Sequence, residues 1–436
     1  MRQLVRGETS FGQISAARSI YILAMFTVLG MVATADQFSF SILLEPIRHE
    51  FHVSDTAMGF LVGSAASLVY AVAGLPLARI ADIGNRRNLL AAAAALWSLA
   101  MVVCGFASTF FQLMAARIGV SAAESAITPS FVSMVADIFP PARRGIAIAV
   151  VMMGGSAGIV MGSTVASTVS AHYNWHLAFV VLGLPGILIA ILFWMTVPEP
   201  KRGAKDGTGN VGADTATTLA ALRYLLSVPT AWRLILASML FVSAQAAMRV
   251  WLPTFFVRVH GLTMSQMGAS FGWIIGSSSA LSMLISGFLS DWLAKRGERW
   301  RVRFITGALL LAVPFVTAAT LVNNIWIVWA LIIIFQLLWS GAAPVISAAG
   351  VSVVQPRARA LWVSLYYFAG AGVGGVCGPV LIGHFSDHLM SRFGELGLRY
   401  SLLAIPGLLL PAALIYFWAS FTADRDAKRM TESARC

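Results

Sequence analysis

Twelve apolar stretches, each long enough to cross about 30 Å of hydrocarbon as a helix, leave this chain few folds to choose from. They fall at roughly 20–44, 57–78, 88–107, 110–136, 145–170, 176–197, 231–257, 265–290, 304–322, 325–348, 360–386 and 399–421. A segment in lipid must satisfy its backbone hydrogen bonds internally, so the series reads as an all-α membrane protein. Composition agrees. Of the 436 residues 58% are hydrophobic and 11% charged, whereas a soluble surface alone is about a quarter or more charged. Arg2, Arg6, Glu8 and Arg18 precede the first span, and the apolar run that follows continues past any small-residue cleavage pattern, so this span is expected to be retained.

A net charge of +12 raises the question of an acidic partner or nucleic acid, and its distribution answers it. One set of alternate loops holds Arg79, Arg86, Arg87, Arg143, Arg144, Lys201, Arg202, the 295–303 cluster, Arg357, Arg359 and the basic C-terminal tail. The other set holds Arg48, Arg258, Arg392 and Arg399, while Arg117 and Arg249 lie within spans. By the positive-inside rule the first set is cytoplasmic, with both termini. The basicity is a matter of topology, and no nucleic-acid partner is expected. Cys104, Cys377 and Cys436 show no metal-ligand spacing, and no phosphate-cradling Gly-x-x-x-x-Gly-Lys is present, so no metal, nucleotide or nucleophile chemistry is expected.

The segment 199–230 divides the spans six and six. Its first part, Lys201 to Asp214, has the composition of a flexible linker, and Thr218 to Leu226 suits a short interfacial helix. The expected domains are 1–198, the linker 199–230, and 231–436. The two halves repeat. Asp82 at the end of span two is matched by Asp291 at the end of span eight. Pro140-Pro-Ala-Arg143-Arg144 before span five is matched by Gln355-Pro-Arg357-Ala-Arg359 before span eleven. The ladder Gly154, Gly158, Gly162 is matched by Gly370, Gly374, Gly378. Glycines spaced by four let another helix approach closely. Two pseudo-symmetric six-helix bundles with a site near the midplane are an architecture of secondary transporters.

Charges inside spans mark function by default. Asp36 is the one charge of span one, and span four carries Arg117 and Glu124 on one face, about 10 Å apart along a helix axis. Each must find a partner on another helix or in water, and a pairing of Arg117 with Asp36 is one arrangement open to it. Span seven carries Arg249, with Gln245 one turn earlier on the same face and a bend expected at Pro253. Its planar fork of donors suits an anionic group. Gln336 and Trp339 on one face of span ten, with Tyr366 and Tyr367 of span eleven, are candidates to complete the cavity; such residues also serve as helix-to-helix glue. Asp82, Arg86, Arg87, Arg143, Arg144 and Asp291 are read as a cytoplasmic gate of ion pairs between the halves.

Asp82-x-x-Asn85-Arg86-Arg87, the segment Arg117-x-Gly119 to Glu124, the exit Asp137-x-Phe139-Pro-Pro-x-Arg143 and Trp175-His-Leu-Ala-Phe179 together resemble the major facilitator superfamily of twelve-helix secondary transporters. Within it the chain is most similar to the spinster-like branch, whose eukaryotic members move sphingolipids and lysophospholipids. The resemblance covers nearly the whole chain and implies proton-coupled alternating access, with Asp36 and Glu124 as proton carriers. Two positions depart from the branch. Gln37 stands where an arginine usually follows the span-one aspartate, and Ile83 where a basic residue usually follows the loop aspartate.

The expected protein is therefore a proton-coupled transporter of an amphipathic or carboxylate-bearing anion, lysolipid-like, with Arg117, Arg249, Gln37, Gln245, Gln336, Trp339, Tyr366 and Tyr367 as substrate contacts. It is expected to need no cofactor beyond the proton gradient and to act as a monomer in a bacterial inner membrane. The alternatives are a symporter or exporter of small organic acids or drug-like compounds, and a non-transporting receptor on the same fold. An enzyme is not expected.

Overall fold

The computed structural model describes residues 15–200, 202, 218–355 and 358–433. Among these residues the secondary structure is helical, without strands. Helix α1 (Ala16–Phe51) makes the first crossing, and α2 (Asp55–Gly59), a π-helical turn Phe60–Ala65 and α3 (Ala66–Ile83) make the second. Then follow α4 (Arg86–Cys104), the pair α5 (Phe110–Glu124) and α6 (Ile127–Ile138), α7 (Pro141–His172) and α8 (Trp175–Thr196). A short α9 (Thr218–Ser227) leads to α10 (Pro229–His260), α11 (Met264–Ala294), α12 (Glu298–Leu321) and the pair α13 (Ile325–Trp339) and α14 (Ala342–Val353). The eleventh crossing is α15 (Arg359–Tyr367), a second π-helical turn Phe368–Gly374 and α16 (Gly375–Phe393); after the small α17 (Gly397–Ser401), α18 (Ala404–Ser433) is the twelfth. The expected flexible stretch Lys201 to Asp214 lies, apart from Arg202, outside the described residues.

Three elements differ from the sequence expectation. Span one does not stop near residue 44 but continues to Phe51, because Ile47 is fully buried and Glu45 and Arg48 pair one turn apart at 3.7 Å. His52, in the left-handed conformation at φ 50°, ends it. Spans four and ten are not continuous helices. Each breaks after a serine at a corresponding place, Ser125-Ala126 and Ser340-Gly341, and in each the third residue of the next helix is proline, Pro129 and Pro344. Proline is accepted in the first turn of a helix but cannot donate back to the preceding turn, so each break sits one turn before its proline.

Small residues set how close the crossings come. The ladder of α7 presses on α1: a Cβ on Gly158 would lie 2.3 Å from the carbonyl of Met31, and one on Gly162 would lie 2.2 Å from that of Ala35. The first and second halves of the chain meet along α7 with α11, and along α2, α3 and their π-helical turn with α16. On α11, Gly268 stands where a Cβ would be 2.0 Å from Ser167 Oγ, and Gly276 where it would be 2.9 Å from Val160.

These distances separate packing glycines from idle ones. Gly162→Ala should lower stability by about 1–3 kcal/mol, the usual cost of overpacking. Gly287→Ala, whose Cβ would meet nothing within 4 Å, should be neutral or gain up to about 1 kcal/mol through helix propensity. Thermal unfolding in detergent checks both, and equal effects would contradict the packing assignment.

Candidate functional site

The intramembrane charges gather where α1, α5 and α10 meet. Arg117 donates from Nη1 to both oxygens of Asp36 at 3.1 and 3.2 Å, and its guanidinium lies 4.6 Å from the centroid of the Phe40 ring. Asp36, Arg117 and Glu124 are 4–5% exposed. Position on a helix accounts for this: Asp36 and Phe40 are one turn apart on α1, and Arg117, Ser121 and Glu124 form the buried stripe of α5. Glu124 closes α5 directly before the break at Ser125, so its side chain sits at a helix end rather than within a continuous rod.

Gln37 joins the two halves of the chain. Its Nε2 donates to Glu124 Oε2 at 3.4 Å, and its Oε1 accepts from Arg249 Nη1 of α10 at 3.3 Å. That orientation is chemically required, since a guanidinium only donates and a carboxylate only accepts. Arg249 is half-buried and has no carboxylate within 4.0 Å among the described residues. Gln245 is half-buried one turn before it. Glu124 Oε1 and Arg117 Nε are buried with no hydrogen-bond partner among the described residues. Two carboxylates and two guanidiniums thus face one another with bonding capacity in reserve, the arrangement a charged ligand or a mobile proton can use.

The other candidates take different places. Gln336 is buried and already used, donating to Ser279 Oγ at 3.1 Å and accepting from Trp339 Nε1, while Ser340 donates to the same Ser279. Gln336 and Trp339 therefore bind α13 to α11, which consumes the polar atoms expected to face a substrate. Tyr366 is buried and stacks on Trp362 with centroids 5.4 Å apart; Tyr367 is 54% exposed.

On the arginine-rich face the expected ion pairs between halves are absent among the described residues. Arg86, 1% exposed, donates to Glu199 Oε1 at 2.8 Å, Ser133 Oγ at 2.8 Å, Asp137 Oδ2 at 2.5 Å and the Pro200 carbonyl at 2.9 Å. Ser133 and Asp137 belong to its own half, and Glu199 and Pro200 are the first residues of the linker, so none of these bonds reaches the second half. The Arg87 amide also reaches Glu199, Arg144 donates to the carbonyls of Phe139 and Ala136, and Arg143 is exposed. Asp291 meets Arg301 of its own half at 3.5 Å, and the side chain of Asp82 lies outside the described residues.

The pairs that do cross lie on the opposite face. Arg258 of α10 forks onto both oxygens of Asp55 at 2.7 and 2.8 Å and donates to Glu45 at 2.7 Å. Sequence reading set Arg258 aside as one of four outer arginines. A weak signal was available, since Glu45, Arg48 and Asp55 put unlike charges beside one another in a short loop.

Such charges, enclosed between helices of both halves of a twelve-crossing fold, define a polytopic membrane transporter. The chain belongs to the Major Facilitator Superfamily, whose profile matches residues 26–379; members of this family are transporters and not enzymes. It is 30% identical over 93% of its length to an MFS-type efflux pump of Mycolicibacterium smegmatis, 93% of which is covered. It is 24% identical over 92% of its length to a sphingosine-1-phosphate transporter of Danio rerio, of which 84% is covered. Among solved structures it is similar to a bacterial homologue of the human lysosomal transporter Spinster in an inward-facing, unoccupied conformation. That likeness has a TM-score of 0.84 at 28% identity, covering 95% of this chain and 99% of the other. The spinster-like resemblance read from the sequence therefore holds in structure.

Removing one partner of a buried ion pair strands the other. Arg117→Gln or Asp36→Asn alone should each cost about 3–5 kcal/mol of stability, and the double variant should cost much less than their sum. Chemical denaturation of the four proteins measures the coupling; additive losses would mean that the pair is not mutually stabilising.

Proposed function

We propose that the protein is a proton-coupled secondary active transporter of an amphipathic, lysolipid-like or carboxylate-bearing anion, working by alternating access as a monomer in a bacterial-type inner membrane. Both termini are then cytoplasmic, and the proton gradient is the driving force. The observation that carries this reading is the enclosed cluster of Asp36, Arg117, Glu124, Gln37 and Arg249. It offers an anion one guanidinium, Arg249, with no carboxylate within 4.0 Å among the described residues, beside a carboxylate, Glu124, with a buried oxygen that has no hydrogen-bond partner among them.

In this reading the arginine-rich face is cytoplasmic, and the conformation is inward-facing: ion pairs between the halves close the outer side, while those on the inner side stay within each half. Arg249 takes the anionic group, with Gln245 beside it. Asp36 and Glu124 exchange the proton, and Gln37 links that exchange to Arg249. The similarity to the sphingosine-1-phosphate transporter and to the Spinster homologue favours the lysolipid-like class. A second reading, a small organic acid as substrate, is favoured by a probable galactarate/D-glucarate transporter of Bacillus subtilis, 25% identical over 89% of this chain and covered over 90% of its own length.

Reconstitution in liposomes with an imposed pH gradient tests it, using an 18-carbon lysophosphatidate, galactarate and ethidium as probes. Gradient-dependent movement of the lysophosphatidate is expected. Arg249→Gln should reduce it about tenfold or more, the scale of one hydrogen bond to a charged group. Glu124→Gln should remove its dependence on the gradient. Movement of galactarate alone would move the assignment to the second reading, and flux indifferent to the gradient would exclude proton coupling. Binding without flux of any probe would make the protein a receptor.

A further inference from the structure

We propose that the second half carries, at its arginine-rich end, a seat for one anionic phospholipid. Arg233 of α10 and Arg303 of α12 form it from either side of α18, with Phe417, Trp418 and Phe421 exposed between them. The seat stands apart from the enclosed charge cluster, since Arg233 lies about 24 Å along α10 from Arg249 at the rise of an α-helix.

Both guanidiniums are held against aromatic rings. Arg233 lies 3.8 Å from the centroid of the Trp418 ring and donates from Nη1 to the Thr422 hydroxyl at 3.2 Å and the Trp418 carbonyl at 3.4 Å. Arg303 lies 5.3 Å from the Trp300 ring and 6.0 Å from the Phe417 ring, and its Nε donates to Ser420 Oγ at 3.5 Å. A ring face attracts the plane of a guanidinium and leaves the N–H groups at its edge free to donate. The arms are thus fixed while much of their bonding capacity stays open.

The acids nearby are already engaged. Asp424 takes Arg299 at 3.2 Å, Glu298 takes Arg301 at 2.9 Å and Asp426 takes Arg425 at 3.3 Å. Among the described residues neither Arg233 nor Arg303 has a carboxylate within 4.0 Å or a hydrogen-bond partner for Nη2, and Arg233 Nε is buried without a partner. The first half is built differently at this end, where Arg86 is spent on Asp137 and Glu199 and Arg144 on carbonyls. A merely solvated basic face would set its arginines beside acids or water, with no exposed phenylalanines and tryptophan between them. Such rings suit the headgroup level of a bilayer. Guanidiniums left without acids beside them suit a phosphate, and a zwitterionic headgroup would bring an ammonium to a place whose acids are taken.

Native mass spectrometry of the protein in detergent, titrated separately with phosphatidylglycerol, phosphatidylcholine and glycerol 3-phosphate, tests the seat. The parent should bind phosphatidylglycerol about thirtyfold more tightly than phosphatidylcholine, at about fivefold for each arginine near an anionic headgroup. Arg233→Gln with Arg303→Gln should abolish that preference, while Arg79→Gln, at an exposed arginine of the first half on the same face, should keep it. Phe421→Ser, which leaves both arginines in place, should weaken the binding of both lipids. Equal binding of the two lipids by the parent would make this face an ordinary bilayer contact and overturn the seat. So would a loss of preference in Arg79→Gln as large as in the double variant, because the attraction would then belong to the whole face. Glycerol 3-phosphate bound as tightly as phosphatidylglycerol would show a site for free phosphate esters and overturn the lipid assignment.

Discussion

A guanidinium within the hydrocarbon layer is the constraint on which the centre of this protein depends. Charges there are tolerated only when paired or wet, and Arg117 is 4% exposed. Its pairing with Asp36 fixes α5 against α1, and the Phe40 ring one turn along supports the same guanidinium. Once Arg117 is committed to Asp36, Glu124 is left to Gln37, and Gln37 is left with one acceptor oxygen for Arg249. The order of commitment runs from the most buried pair outward to the half-buried arginine of the second half.

The helices could not present those groups so closely without the small residues between them. Gly154, Gly158 and Gly162 let α7 lie directly on the α1 backbone, behind the face that carries Asp36. The breaks at Ser125-Ala126 and Ser340-Gly341 have a related effect, ending α5 at Glu124 and α13 next to Trp339. In the first half the freed end presents a carboxylate. In the second the corresponding end is filled by the Gln336, Trp339 and Ser279 bonds, which hold α13 to α11. The two halves share a plan and contribute unequally to the enclosed cluster: the first brings Asp36, Gln37, Arg117 and Glu124, and the second brings Arg249.

Much of this was legible from the chain alone, and for identifiable reasons. Membrane crossings announce themselves by length and composition, glycine ladders by spacing, and intramembrane charges by their cost, so the crossings, the ladders and Asp36, Glu124, Arg117 and Arg249 could be named before any coordinates. The matched breaks of spans four and ten were also written in the sequence, as Ser-Ala-Ile-Thr-Pro and Ser-Gly-Ala-Ala-Pro, but a proline inside an apolar run signals a bend, a break or neither until its neighbours are known. What the chain alone could not separate were residues with equal chemistry and different company. Gln245 and Gln336 are both glutamines in spans; one is half-buried beside a spare arginine, the other is spent on a serine and a tryptophan.

The sequence by itself determined the all-helical membrane fold, the two related halves and the residues that could not lie idle in lipid, because those follow from local solvation and hydrogen-bond costs that each segment meets alone. Only the tertiary structure decided which charges are partners. Arg86 pairs with Asp137 of its own half and with Glu199 at the start of the linker, Arg258 crosses to Asp55, and Gln37 replaces an expected arginine by bridging Glu124 and Arg249. Pairing energy depends on distances of a few ångströms and on the exclusion of water, and neither exists until helices distant in the chain have packed.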